Sequence, residues 1–120
     1  MDRNYINSLF NVEGKVVVLT GGGGVICSTL AKGYAKAGAK VALLDINLDA
    51  AKAAAAAIVA EGGEAIGVQA DVLNREKMDV AVKEVLDAYG TVDILINGAG
   101  GNSRRATTSP DLSFFDLPQD

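Results

Sequence analysis

Short apolar runs alternate along this chain with longer stretches of helical character. The runs are rich in Val, Ile and Leu and carry few polar residues, which is typical of parallel strands buried on both faces. We predict strands at residues 15–20, 40–45, 65–69 and 92–97, and helices between them at residues 25–37, 48–60 and 75–89. This order predicts an α/β protein with a parallel sheet, right-handed crossovers and helices on both faces.

The predicted helices have distinct ends. Asn47 and Asn74 are the expected N-caps of the second and third helices, because an Asn side chain accepts a hydrogen bond from an amide of the first turn. A glycine follows each helix and stops it, at Gly38, Gly62 and Gly90.

Two of the helices indicate how they pack. Residues 53–57 of the second helix are all alanine, and such small side chains let a helix lie close to a sheet. The third helix carries larger apolar side chains on one face, which we expect to pack on the sheet. These residues are Met78, Val82, Val85, Leu86 and Tyr89.

Composition and charge exclude several classes of function. Eleven Lys and Arg against fifteen Asp and Glu give a net charge of −4, the opposite of what binding to a nucleic-acid backbone requires. The chain has no His and a single cysteine, Cys27, so an internal disulfide and a zinc site are both excluded. No apolar run approaches the roughly 20 residues of a membrane-spanning helix, and residues 1–11 lack the regions of a signal peptide. We expect no nucleic-acid or membrane partner, no metal and a cytoplasmic location.

Four consecutive glycines follow the first predicted strand and open the first predicted helix. A pyrophosphate is bound by backbone N–H groups at a helix N-terminus, and glycines remove the side chains that would block its approach. The alternative is an ordinary turn, which needs fewer glycines and loses backbone entropy with each one. The expected contact residues are Gly21, Gly23, Gly24, Val25 and Ile26. Cys27 takes the third fingerprint position, where a small residue allows close packing of helix and strand.

Asp45 ends the second predicted strand, about 20 residues beyond the glycine loop. A carboxylate there accepts hydrogen bonds from both hydroxyls of an adenosine ribose and repels a 2′-phosphate. No Arg follows it, since the next residues are Ile46 and Asn47. The alternative interpretation of Asp45 is a solvated turn residue, and the presence of the glycine loop makes it the weaker of the two. We expect NAD as the cofactor in preference to NADP, with Asp45 and Ile46 contacting it.

Three segments that follow predicted strands resemble the short-chain dehydrogenase/reductase family. They are Thr20-Gly21 with its glycine loop, Asp71-Val72, and Asn97-Gly-Ala-Gly100. The resemblance implies that Asp71 contacts the adenine amino group and that Val72 packs near the adenine ring. It also implies that Asn97, Gly98 and Ala99 line the cofactor and steady the central sheet.

The chain departs from the classical pattern of that family, Thr-Gly-x-x-x-Gly-x-Gly, at two positions. Val25 and Cys27 replace its last two glycines, whereas Gly24 fits the spacing of the extended subfamily. The segment at residues 97–100 is the classical signature, with Gly98 in place of the common second Asn. We therefore expect a classical member with a variant loop.

Substrate and catalysis are implied by the resemblance alone. The glycine loop and Gly100-Gly101-Asn102 are most similar to the members that interconvert D-mannonate and D-fructuronate, so we expect a sugar acid or another alcohol or ketone as the small-molecule substrate. Catalysis in the family uses a Tyr with a Lys four residues later, together with a Ser and an Asn. None of Tyr5, Tyr34 and Tyr89 has a Lys at that spacing. We expect no catalytic residue in this chain and no turnover from it alone.

The expected domain organisation follows from these motifs. With 120 residues, the chain suits one hydrophobic core. We predict the N-terminal portion of a Rossmann-type doubly wound sheet, with about four strands in the order 3-2-1-4. Residues 1–12 form an N-terminal extension, residues 13–101 the NAD-binding half, and residues 102–120 an irregular tail that starts a missing C-terminal half. The fourth strand would present an unpaired apolar edge, so we expect a homo-oligomer.

Two other functions are compatible with parts of this pattern. A non-catalytic module that senses or stores a dinucleotide requires only the binding residues. A methyltransferase-like fold also uses a glycine loop and an acidic residue after the second strand, but residues 97–100 favour the dehydrogenase family.

Overall fold

The structure, a computed structural model, describes residues 2–98. Its strands form one parallel sheet in the order β3-β2-β1-β4. The strands are β1 (Val16–Thr20), β2 (Lys40–Asp45), β3 (Glu64–Gln69) and β4 (Ile94–Asn97). The helices are α1 (Arg3–Phe10), α2 (Val25–Lys36), α3 (Leu48–Ala60) and α4 (Arg75–Tyr89). The predicted fold class and strand order are confirmed.

The two faces of the sheet carry separate hydrophobic clusters. Alternate side chains of β1 and β2 pack with α2 and α3 on one face, and the remaining ones pack with α4 on the other. The first cluster comprises Val17, Leu19, Cys27, Ala31, Ala39, Val41, Leu43, Ala55 and Ile58. The second comprises Val16, Val18, Ala42, Leu44, Val68, Ala70, Ala81 and Val85. Burial on both faces explains why β1 and β2 are continuous apolar runs.

Helix α3 lies directly against the sheet because its inner side chains are small. Ala51 and Ala55 are buried. A Cβ added at Gly67 of β3 would lie 2.7 Å from backbone atoms of Ala51 and Lys52. A larger residue on either surface would push the helix away from the strand.

The predicted N-caps are confirmed by their hydrogen bonds. The Asn47 side chain accepts from the Ala50 N–H at 3.1 Å, and the Asn74 side chain accepts from the Lys77 N–H at 3.1 Å. Gly90 ends α4 with a φ of 81°, a left-handed conformation that favours glycine.

Helix α1 has no counterpart among the predicted helices. Asp2 caps it, accepting hydrogen bonds from the Asn4 N–H at 2.9 Å and the Tyr5 N–H at 3.4 Å. No residue of α1 is buried, so it contributes little to the core. Its apolar residues Tyr5, Ile6, Leu9 and Phe10 recur at helical spacing, but its 8 residues are fewer than the window over which such a pattern is usually recognised. Among residues 2–98, no helix has the length and apolar character to cross a membrane.

The buried face of α4 differs from the prediction. Val82 and Leu86 are 42% and 43% exposed, so their assignment to the sheet-facing stripe was wrong. The residues that pack on the sheet are Met78, Ala81, Val85 and Tyr89. These four residues form one narrow stripe along the helix. The prediction missed Ala81 because it selected only large apolar side chains.

Strand β4 begins two residues later than predicted. Its register pairs Val17 with Ile94. Just before the strand, Asp93 accepts a hydrogen bond from the Val16 N–H through Oδ2 at 2.9 Å, and its own N–H donates to the Val16 carbonyl at 3.0 Å. The side chain of Asp93 therefore fixes where β4 meets β1.

Candidate functional site

The carboxyl ends of the strands lie at one edge of the sheet, where most of the predicted contact residues also lie. Thr20 is in register with Leu44 on one side and with Asn97 on the other. The strand order reverses between β1 and β4, and open α/β sheets bind ligands in the crevice beyond such a point. The glycine loop after β1 and Gly98, which follows β4, lie at this point of the sheet edge.

The glycine loop rests directly on β2. Gly21 has a φ of 69°, and the Gly22 N–H donates to the Leu44 carbonyl at 2.9 Å. A Cβ added at Gly22 would lie 2.8 Å from the backbone and side chain of Leu43. The loop therefore has no room for a side chain at Gly22, which was not among the predicted contact residues.

Helix α2 begins at this loop with its first amides available. Its N-cap is Gly24, without a side-chain cap hydrogen bond. Helix geometry leaves the N–H groups of the first turn without partners inside the helix. Val25 and Ile26, at the first two positions, are 84% and 77% exposed. The N-terminus of α2 thus has the character of an anion-binding site.

The carboxylate of Asp45 joins the glycine loop to the start of α3. Its Oδ2 accepts a hydrogen bond from the Gly23 N–H at 2.9 Å, and its Oδ1 accepts one from the Asn47 N–H at 2.9 Å. The structure therefore brings the two strongest predicted features, the loop and the acidic residue, into direct contact.

Thr20 connects the loop to the segment after β4. The Gly98 N–H donates to the Thr20 carbonyl at 3.1 Å and to Thr20 Oγ1 at 3.2 Å. The Cys27 thiol donates to the same carbonyl at 3.6 Å. Thr20 was absent from the predicted contact residues, although its place before the glycines was a signal that could have revealed it.

The segment after β3 is connected to the site through Asp45 and Ile46. The Ala70 N–H donates to the Asp45 carbonyl at 2.9 Å, and the Gln69 side-chain amide donates to the Ile46 carbonyl at 3.3 Å. Asp71 follows at once, and its Oδ1 accepts from the Leu73 N–H at 3.0 Å. Of the predicted contact residues, Ala99 lies outside the described range.

Large apolar side chains are exposed in the segments at this edge. Their exposures range from 48% at Val72 to 94% at Leu73. The residues are Val25, Ile26, Ile46, Val72 and Leu73. Exposed apolar side chains grouped at a crevice are typical of a ligand site.

These residues suit the adenosine diphosphate half of a dinucleotide. The α2 amides and the side-chain-free surface of the glycines suit a pyrophosphate, the Asp45 carboxylate suits ribose hydroxyls, and exposed Ile46 and Val72 suit a flat aromatic base. Within residues 2–98, no group of three His, Cys, Asp or Glu side chains is placed to hold a metal ion.

Comparison with known proteins identifies the family of the chain. A model of the short chain dehydrogenase family matches residues 15–116. An uncharacterised oxidoreductase of Haemophilus influenzae is 45% identical over 89% of this chain and 38% of its own length. The uncharacterised oxidoreductase UxuB of Bacillus subtilis is 42% identical over 91% of this chain and 42% of its own length.

Solved structures give the same result. A Haemophilus structure with bound NAD, provisionally described as a D-mannonate oxidoreductase, has a TM-score of 0.76 at 40% identity and covers 95% of this chain and 44% of its own. A hydroxysteroid dehydrogenase from Escherichia coli has a TM-score of 0.75 at 34% identity and covers 79% of this chain and 40% of its own. The chain spans less than half the length of each of these relatives. It belongs to the short-chain dehydrogenase family.

Proposed function

We propose that this chain is the NAD-binding part of an oxidoreductase that acts on an alcohol or ketone. The observation that carries the proposal is the glycine loop at the N-terminus of α2, held against the carboxylate of Asp45 by the bond from the Gly23 N–H at 2.9 Å. In this proposal residues 13–101 form the NAD-binding half, and residues 1–12 and 102–120 lie outside it.

Each part of the site has a separate role in binding. The first-turn amides of α2 hold the pyrophosphate, and the Asp45 carboxylate accepts the hydroxyls of the adenosine ribose. Asp71 and Val72 contact the adenine, while residues 97–99 line the cofactor beyond the pyrophosphate. Bound NAD would supply a hydride acceptor for the oxidation of an alcohol, whose hydroxyl proton leaves to a base, and bound NADH would supply the hydride for the reverse reduction of a ketone.

A sugar acid is the proposed substrate, with D-mannonate and D-fructuronate as the first pair to test. The support is the likeness to the Haemophilus structure provisionally described as a D-mannonate oxidoreductase. None of the tyrosines has a Lys four residues later. The Tyr89 hydroxyl instead donates to the Val41 carbonyl at 3.1 Å, which is a structural bond. We therefore expect residues 1–120 alone to bind NAD without producing NADH from D-mannonate.

Calorimetric titration with NAD and NADP tests the binding role. We expect NAD to bind at least about tenfold more tightly, because a 2′-phosphate would meet the negative charge of Asp45. Equal affinity for the two dinucleotides would contradict the proposed role of Asp45.

A matched pair of glycine substitutions tests the loop. Gly23→Ala should weaken NAD binding, since its Cβ would lie 2.6 Å from Ala50 Cβ and 2.9 Å from Asp45 Oδ2. The control is Gly33→Ala in α2, where an added Cβ meets no atom within 4 Å outside its own helix backbone. Circular dichroism establishes that both variants are folded. If both bind NAD as the unaltered protein does, the loop is not the binding site.

A further inference from the structure

The Asp45 carboxylate is hydrogen-bonded within the protein itself, without any ligand. Both of its oxygens accept backbone amides, Oδ2 from Gly23 and Oδ1 from Asn47, each at 2.9 Å. Its main-chain carbonyl accepts the Ala70 N–H at 2.9 Å. One residue thus joins the glycine loop, the start of α3 and the end of β3.

The glycine loop depends on this residue for its only described side-chain hydrogen bond. Within residues 2–98, the other hydrogen bonds of Gly21, Gly22 and Gly24 are to backbone atoms, including the bond from the Gly22 N–H to the Leu44 carbonyl at 2.9 Å. Successive loop amides therefore bind successive residues of β2, first Leu44 through its carbonyl and then Asp45 through its side chain.

Packing leaves Gly23 little freedom to move towards α3. A Cβ at that position would lie 2.6 Å from Ala50 Cβ, so the backbone itself is close to the first turn of the helix. On the side facing β2, the neighbour is Asp45 Oδ2. Glycines have the greatest conformational freedom of all residues, and the bond from Gly23 restricts the loop at its centre.

We infer that Asp45 is a positioning residue for the pyrophosphate loop, in addition to its contact with the ribose. The inference rests on the proposed function, because it concerns how that site binds a dinucleotide. Its consequence is that Asp45 controls affinity for the pyrophosphate part of the ligand through Gly23. Replacing Asp45 then lowers affinity for NAD and NADP together and does not simply exchange one preference for the other.

The two roles are chemically compatible. Each carboxylate oxygen has two acceptor sites, so the bonds to Gly23 and Asn47 leave capacity for two ribose hydroxyls. An amide in the same place has one acceptor oxygen and one NH2 group, which cannot accept. Asp45→Asn therefore keeps the size of the side chain but has one oxygen for the two amides. That oxygen is expected to keep the local bond to Asn47, two residues on, so the bond to Gly23 is the one lost.

The decisive ligand is an NAD analogue whose adenosine ribose lacks both hydroxyls. Asp45 has no ribose hydroxyl to bind in that analogue, so it affects the affinity only through the loop. We expect Asp45→Asn to bind the dideoxy analogue about five- to tenfold more weakly than the unaltered protein does, as expected for the loss of one hydrogen bond. Removing a negative charge would by itself strengthen binding of an anion, so weaker binding has the opposite sign to the charge effect.

Asp49→Asn is the matched control for this experiment. Asp49 lies in the first turn of α3, is exposed and undergoes the same change of charge. We expect its affinity for the analogue to stay the same or to rise. If Asp45→Asn binds the analogue as tightly as the unaltered protein does, the inference is wrong and Asp45 acts on the ribose alone.

Amide hydrogen exchange in the ligand-free protein gives a second readout. In Asp45→Asn the Gly23 amide should exchange at least about tenfold faster, because its acceptor is lost. The Gly22 amide, bonded to Leu44, is the internal reference. Unchanged exchange at Gly23 would also overturn the inference. If the unaltered protein binds neither dinucleotide, the proposed function fails, and the exchange of Gly23 alone then decides whether Asp45 positions the loop.

Discussion

The sulfur of Cys27 occupies the space beside Gly98 that a side chain at residue 98 would need. A Cβ added at Gly98 would overlap Cys27 Sγ and lie 2.8 Å from the Thr20 carbonyl oxygen. Cys27 replaces a glycine of the family pattern, and Gly98 replaces the common Asn, so the two departures compensate each other in space. The thiol is buried, which agrees with a packing role.

A double-mutant cycle tests this compensation. We expect Gly98→Ala to destabilise the protein by about 1–3 kcal/mol through overpacking. The cost should be smaller in a Cys27→Ala background, where the sulfur is removed, with a coupling of at least about 0.5 kcal/mol. Urea unfolding of the four proteins measures it. The same cost in both backgrounds would show that the two residues act independently.

Tyr89 gives the protein a predictable response to alkaline pH. Burial, and then the negative charge of Glu64, raise the pKa of Tyr89 from 10.0 to about 12. The unfolded chain therefore loses this proton at a lower pH than the folded protein does. The stability from Tyr89 is complete below about pH 10 and is lost as pH rises towards about 12.

The measurement is the free energy of unfolding from about pH 9 to pH 12, for the unaltered protein and Tyr89→Phe. At the lower pH we expect Tyr89→Phe to be less stable by about 0.5–1.5 kcal/mol, because it loses the hydrogen bond to Val41. The difference should shrink as pH rises. Tyr5→Phe is the control, since Tyr5 is 63% exposed. A constant difference across the range would contradict this explanation.

The positions of the glycine loop and of Asp45 at the sheet edge were predictable from the sequence, but the contact between them was not. The glycines and Asp45 follow apolar runs, so their place at the sheet edge could be inferred from the pattern alone. The bond between Gly23 and Asp45 spans 22 positions and depends on how the loop rests on β2. Gly22 was missed for the same reason, since its contacts exist only in the folded chain, whereas the place of Thr20 directly before the glycines was a signal that went unused.

At the scale of elements, α3 sets a strict limit on side-chain size at its inner face. Ala55 is buried in the cluster on β1 and β2, whereas its neighbour Ala56 is exposed. We expect Ala55→Leu to destabilise the protein by about 1–3 kcal/mol and Ala56→Leu to change stability by less than about 0.5 kcal/mol. Thermal and urea unfolding of both variants measure the effect. Equal changes in stability for the two variants would contradict a size limit at the inner face of α3.

Helices α2, α3 and α4 were predicted close to their observed bounds, whereas α1 and the start of β4 were not. Asn47 and Asn74 cap their helices as expected, because a cap depends on residues within one turn. The start of β4 was misplaced because Asp93, and not an apolar residue, fixes it by pairing with Val16. Helix α1 was missed although Tyr5, Ile6, Leu9 and Phe10 recur at helical spacing, because the helix is only 8 residues long.

At the scale of the whole molecule, the described sheet ends at β4, whose one described neighbour is β1. Leu95 of this strand is 57% exposed. Apolar edge strands pair with other chains, so we expect residues 1–120 to self-associate. Leu95→Lys should weaken that association at least about tenfold, because a charge on an edge opposes pairing. Sedimentation equilibrium measures it.

Val59→Lys is the control for this experiment, since Val59 on α3 is exposed to a similar degree, 54%. We expect Val59→Lys to associate as the unaltered protein does. A monomeric unaltered protein, or equal effects of the two substitutions, would show that β4 is not the surface involved.

The strand order was predictable because chain connectivity and handedness leave few arrangements for this succession of elements. The association partner was not, because within residues 2–98 the outer edge of β4 shows no pairing that would specify one.

The position of β1 inside the sheet also determines how long it waits for its partner strands during synthesis. It is the first of the four described strands to be synthesised, yet the partner of Val16, Asp93, lies 77 positions further along the chain. At ribosomal rates of about 5–20 residues per second, roughly 4–15 s separate the emergence of these two parts. During that interval the edge of β1 that pairs with β4 has no partner from its own sheet, so we expect this apolar edge to be exposed to other chains until synthesis reaches β4.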